Sequence, residues 1–245
     1  MKNIQQNHSP NARFTSTQWS VVLRAGAVGS EAAQQALTQL ITAYWYPLYA
    51  FARRRGNPHH DAMDLTQGFF THLLATEGLG SVSPEKGRFR SFLLSSFKNF
   101  MANQRRAAAA VRRGGAVATL SLSSTDFQSR YEREPADADT PELLFQRRWV
   151  EALLRRVRAR LAEDYREAGK EELFQLLEPH LSDGAGGIPR AEISRKLNLS
   201  SAAVAMSIHR MRRRFGDLLR QEVAATVANP ADIEDELRSL LAILG

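Results

Sequence analysis

The chain reads as an all-α protein of two helical domains joined by a flexible linker, the second containing a helix-turn-helix. Three observations predict this. Apolar residues recur at helical spacing along most of the 245 residues. The stretch from Asp126 to Glu142 interrupts that pattern with six acids against two arginines and with Pro135 and Pro141, a composition suited to an exposed linker. Ala191 to Phe215 has the outline of two short helices around a tight turn, the second ending in a basic cluster.

Taken in order, Thr17 to Ala25 forms a short amphipathic helix. Ser30 then caps a long one that runs to a stop at Gly56, with a kink expected at Pro47. After the Asn57-Pro58 turn, His59 to Ala75 gathers Met63, Leu65, Phe69, Phe70, Leu73 and Leu74 on one broad apolar face and leaves Asp61, Asp64, Gln67 and Thr71 largely outside it. A loop holding Gly78, Gly80, Pro84 and Gly87 follows, and the next helix interleaves aromatic and basic residues. Thr140 caps another helix with Pro141 at its first position, so the second domain begins there. Leu143, Leu144, Trp149, Val150, Leu153, Leu154, Val157 and Leu161 form its buried face, and its arginines belong in solvent.

Gly184, Gly186 and Gly187 make a surface turn before Pro189, which suits a first helical position; Ile193 and Leu197 share one face of the helix that follows. The chain turns at Asn198, and Ser200 caps a second helix whose buried stripe is Val204, Ile208, Met211, Phe215 and Leu218. Ala231 to Leu244 is a short acidic helix with Leu237, Leu240, Leu241 and Leu244 on one side, expected to pack on the second domain rather than to cover its basic face. The expected layout is an N-terminal segment (1–30), a first helical domain (31–113), a linker (114–139), a second domain (140–220) and an amphipathic tail (221–245).

Charge says what these helices meet. A net charge of +7 favours a polyanionic partner. From Phe89 to Thr125 there is no acid, while Arg90, Lys98, Arg105, Arg106, Arg112 and Arg113 are basic. In that stretch Phe89, Phe92, Phe97 and Phe100 could stack on unpaired bases while the cations track the backbone. The competing use of these phenylalanines, with Leu93 and Leu94, is to fill a helical core, which leaves those at the loop and helix start as the candidates for stacking. The second helix of the turn motif carries Ser201, Ala202, Ala205, His209, Arg212 and Arg213 opposite its buried stripe. Small residues there let the helix approach base edges, and the arginines neutralise phosphates.

Three blocks in this order carry a resemblance: RRRGNPHHDAMDLTQGFFTHLL, RFRSFLLSSFKNFMANQRR and AEISRKLNLSSAAVAMSIHRMRRRF. Together they resemble a bacterial RNA polymerase sigma factor of the extracytoplasmic-function type, over most of residues 35–220. The resemblance implies a first domain that binds core RNA polymerase and the promoter's minus-10 element, and a second, region 4-like domain that reads minus-35. It assigns Asp61, Asp64, Gln67 and Phe70 to polymerase and Phe89, Arg90, Lys98, Asn99, Asn103, Arg105 and Arg106 to minus-10 DNA. Ser200, Ser201, Ala202, Ala205, His209, Arg210, Arg212 and Arg213 fall to minus-35 DNA. The implied function is promoter recognition, DNA melting and transcription initiation, with no catalysis by this chain and no cofactor. An anti-sigma factor or another regulator would be a further partner. Thr66, Gly68 and Phe69 stand where the family more often shows acids, and Ala202, Ala203 and Ala205 offer base edges only apolar contact.

Other classes are weaker. His60 and Asp64 are four apart but lack a third ligand by spacing, no P-loop or nucleophile signature occurs, and the absence of cysteine removes thiolate zinc and thiol redox chemistry. The opening residues lack an apolar signal core and no run reaches membrane-span length, so the expectation is a cytoplasmic protein with no membrane partner. The principal rival is a polymerase-independent helix-turn-helix regulator that binds operator DNA, with a sensing or dimerising N-terminal domain.

Overall fold

The computed structural model describes residues 31–75, 88–110, 124–133, 139–181, 188–227 and 229–244. The expected helix at Thr17 to Ala25, the Ser30 cap, the loop from Gly78 to Gly87 and the glycines at 184, 186 and 187 lie outside them. All regular structure among the described residues is helical: α1 (Glu31–Arg54), α2 (His59–Ala75), α3 (Phe89–Ala110), α4 (Ser124–Glu132), α5 (Pro141–Glu167), α6 (Glu171–Leu177), α7 (Arg190–Lys196), α8 (Ser201–Ala224) and α9 (Ile233–Leu244). Short 3-10 turns lie at Glu178–Leu181 and Pro230–Asp232. No described helix is long and apolar enough to cross a membrane.

Two hydrophobic cores hold these helices. The first is built round α1, whose residues 43–52, the helix-embedded Pro47 included, are all buried. A helix apolar on all sides must be surrounded, and α2, α3 and the first half of α5 surround it. Phe69, Phe70 and Leu73 come from α2, Phe89, Leu93, Leu94, Phe97 and Met101 from α3, and Leu144, Phe145, Trp149, Val150 and Leu153 from α5. The rings pack edge-on or stacked: Phe69 meets Phe97 at 5.1 Å, and Tyr44 stacks on Trp149 at 6.3 Å. The second core joins Val157 and Leu161 of α5 to Phe174 and Leu177 of α6, Ile193 of α7 and Val204, Ile208, Met211 and Leu218 of α8. One helix, α5, therefore serves both cores. Its start carries the expected cap, since Thr140 Oγ1 accepts from Leu143 N at 3.2 Å with Pro141 following.

The acidic stretch, expected to be an exposed linker, is packed, and the tail helix packs on the first core rather than on the second domain. Within the acidic stretch, α4 lays Phe127 against Tyr46 and Tyr49 at 6.0 and 6.1 Å, and Tyr131 edge-on to Tyr49 at 6.2 Å. The Arg130 guanidinium lies 3.5 Å from the Tyr46 ring centre and that of Arg53 4.6 Å from Tyr131. Phe127, Arg130 and Tyr131 share a helix face, so one apolar and two amphipathic side chains outweigh the solubility of their acidic neighbours. The tail helix α9 turns Glu236, Leu240 and Ile243 inward, while Leu241 and Leu244 remain 66% and 49% exposed. The expected leucine stripe is thus rotated, and α9 seats in the first core beside α5 and the end of α8.

Candidate polymerase and nucleic-acid interface

Helix α2 begins after a turn closed by Gly56, whose φ of 85° is costly for a residue with a Cβ. Asn57 Nδ2 donates to Ala52 O at 2.7 Å and fixes the entry. Asp61 and Asp64 are exposed and Gln67 is half-buried, so these three share an outward acidic and amide surface. Phe70, expected on that surface, is buried and stacked on Trp45 at 5.6 Å with ring planes 6° apart. Its register falls with Ala62, Thr66, Phe69 and Leu73, all buried. Thr66 is tolerated there because its hydroxyl donates to Ala62 O at 2.7 Å. At the start of α2, His59 Nδ1 lies 2.8 Å from Tyr49 Oη, which accepts from Arg53 Nη1 at 3.1 Å. Partial burial, then His60 and Arg53, hold the His59 pKa below its ordinary value, and a neutral Nδ1 can accept the tyrosine proton.

Helix α3 has two faces. Asn99, Asn103, Arg105 and Arg106 are exposed, and Arg106 Nη2 donates to Asn103 Oδ1 at 2.8 Å. Lys98 is half-buried and pairs with Glu142 at 2.6 Å; this bond holds the Glu142 carboxyl below its ordinary value. Phe89 and Arg90, both expected at DNA, are inside. Phe89 is fully buried edge-on to Tyr44 at 5.5 Å, and Arg90 is 4% exposed with its guanidinium 5.0 Å from the Trp149 ring centre. The cause is Glu236, 1% exposed, which faces Arg90 at 3.2 Å and Arg88 at 2.7 Å. Burial pushes the Glu236 carboxyl up, and Arg90 and Arg88 draw it back down. Arg90 Nη1 and Glu236 Oε1 attract as charges without a well-aligned hydrogen bond. Sequence inspection missed Glu236 because nothing local ties it to an arginine 146 residues away. The available signal was an acid among leucines on a helix that had to be buried somewhere.

At the far end, α7 and α8 meet across a four-residue turn. Asn198 adopts φ 50°, which asparagine tolerates better than branched residues. Pro189 precedes α7 as its cap, and Ser200 Oγ accepts from Ala203 N at 3.1 Å to start α8. Val204, Ile208, Met211 and Leu218 are buried, with Phe215 partly so. Ser200, Ser201, Ala202, Ala205, His209, Arg210, Arg212 and Arg213 are all exposed on the opposite arc. Met206, 56% exposed, lies there too. Arg212 Nε donates to His180 O at 2.9 Å, and Arg214 binds Asp164 at 2.6 and 2.8 Å, so the flanking arginines also brace α8.

The architecture defines an all-helical protein that presents an acidic surface on α2 and basic, solvent-facing surfaces on α3 and α8. Residues 40–111, comprising the second half of α1 with α2 and α3, match the family model Sigma-70 region 2. This segment is therefore similar to region 2 of the sigma factors. No curated protein and no solved structure gives a match.

Proposed function

We propose that the protein is a sigma factor of the extracytoplasmic-function type, which binds core RNA polymerase through α2, opens and reads minus-10 DNA through α3 and reads minus-35 through α7 and α8. The observation that carries this reading is the region 2 match over α1 to α3 in a chain that also presents a capped, basic helix after a tight turn. Asp61, Asp64 and Gln67 supply a surface complementary to a basic partner helix. Phe70 would act from beneath, holding α2 on α1. Asn99, Asn103, Arg105 and Arg106 supply amides and cations for unpaired bases and phosphates. On α8 the helix-turn-helix offers Ser201, Ala202 and Ala205 for close approach in the major groove and His209, Arg210, Arg212 and Arg213 for phosphates.

The chain supplies binding energy, and polymerase supplies the chemistry. Unstacking a base costs a few kcal/mol, and the exposed amides and cations of α3 must offset it, because Phe89 and Phe97 are buried and Phe92 and Phe100 pack against the first core. Gel filtration with bacterial core polymerase tests the reading. Co-elution of the wild type, weakened in Asp64→Arg and Gln67→Ala at equal salt, is the expected result. Separate elution at low salt overturns the polymerase assignment and favours the free-standing operator-binding regulator.

A further inference from the structure

The start of α3 is covered by the chain itself. Two guanidiniums, on Arg88 and Arg90, converge on one carboxylate and one hydroxyl of α9. Arg88 Nε lies 2.7 Å from Glu236 Oε2, and Arg88 Nη1 donates to Ser239 Oγ at 3.0 Å. Arg90 Nη2 donates to Glu236 Oε2 and to Ser239 Oγ, each at 3.2 Å. A neighbouring backbone bond, Phe89 N to Thr226 O at 3.3 Å, closes the seat. Clustered oxygens facing two arginines are what a backbone phosphate would also present. The rest of α9 repeats the theme, because Glu234 pairs with Arg220 of α8 at 3.1 Å. Its apolar anchorage is small, consisting of Leu240 and Ile243, with Leu237 and Ile233 partly buried. A buried charge cluster contributes little net stability compared with apolar residues of the same size, so its presence is better explained by what it covers.

We propose that α9 is an autoinhibitory latch, in which Glu236 and Ser239 occupy the positions of DNA phosphate oxygens on Arg88 and Arg90 and keep the start of α3 closed to nucleic acid until α9 lifts away. The inference rests on the reading of α3 as a nucleic-acid surface and adds its regulation. Lifting α9 frees two cations at the head of an acid-free stretch.

The test uses the full chain, a fluorescein-labelled single-stranded 20-nucleotide DNA of mixed sequence, and a salt series. Glu236→Gln removes the charge from the latch; Asp235→Asn removes the same charge from an exposed neighbour on α9. Amide exchange reports whether 233–244 is released while 144–161 and 201–218 stay protected. If Glu236→Gln leaves α9 protected, Leu240→Asp unseats it and the same comparison is made. Release is expected to raise DNA affinity about tenfold at low salt and to steepen the salt dependence by about 1.4, from two more phosphate contacts at about 0.7 each on a single strand. Adding Arg88→Ala to the released variant should remove about half of that steepening. A released α9 with affinity and slope equal to those of Asp235→Asn overturns the latch and leaves the polymerase reading intact. No DNA binding by any variant removes α3 as a nucleic-acid surface, and the latch falls with it.

Discussion

Breaking the buried pair from one side and then from both tests how α9 is held. Arg90 and Glu236 are 4% and 1% exposed, and Arg90 also faces Trp149. Glu236→Leu leaves a buried guanidinium with only the Ser239 hydroxyl, and Arg90→Met leaves a buried carboxylate with only Arg88. Each single change should cost about 3–5 kcal/mol, the usual penalty for an orphaned buried charge. Arg88, 2.7 Å from Glu236 but 40% exposed, stays as the carboxylate's partner and places the Arg90→Met loss toward the lower end of that range. If α9 lifts off instead, the loss is capped by the free energy of its seat. Leu240 and Ile243 at roughly 1.5–3 kcal/mol each place that cap in the same range. The double variant Arg90→Met with Glu236→Leu replaces charge by apolar volume and should fall within about 1 kcal/mol of wild type. Urea unfolding followed by helical circular dichroism and by tryptophan fluorescence measures all four proteins. Singles that each cost under about 1 kcal/mol, or a double equal to their sum, would show that Arg90 and Glu236 do not hold α9 as a coupled pair.

Further outcomes follow from other contacts. The Glu142 carboxyl is held below its ordinary 4.5 chiefly by Lys98, so its contribution is present above that value and is lost as pH falls through the lowered one. Lys98→Met should flatten the melting temperature's dependence on pH over that window, and an unchanged slope would count against the pair. Ser200→Ala removes the acceptor for Ala203 N and should cost about 1 kcal/mol in chemical denaturation. Asn198→Gly should be tolerated at φ 50°, whereas Asn198→Val should destabilise by roughly 1–2 kcal/mol; equal stabilities would contradict the assigned turn. Arg213→Ala should reduce the salt slope of duplex DNA binding by about 0.9, read by fluorescence anisotropy.

Much of the local structure was legible in the sequence because it rests on local chemistry. The caps at Thr140 and Ser200 need only an oxygen three residues before a donor, and both form as read. The α8 stripe needs only helical spacing, and its opposite arc faces solvent as expected. What periodicity hides is the partner. Phe70 and Phe89 have the residue type for either a core or a surface, and only their packing on Trp45 and Tyr44 decides it. Arg90 reads as a surface cation until a carboxylate from α9 meets it. The composition of the acidic stretch masks Phe127 and Tyr131, whose docking depends on the aromatic face of α1.

A chain that acts as the proposed sigma factor redirects RNA polymerase to promoters of its own. Core polymerase, with and without the chain, should be supplied with a supercoiled plasmid library randomised upstream of a fixed reporter, and the 5′ ends of the RNA sequenced. Chain-dependent starts downstream of one shared pair of elements, lost in Asp64→Arg, are the expected result. Transcripts identical to those of core polymerase alone would contradict it.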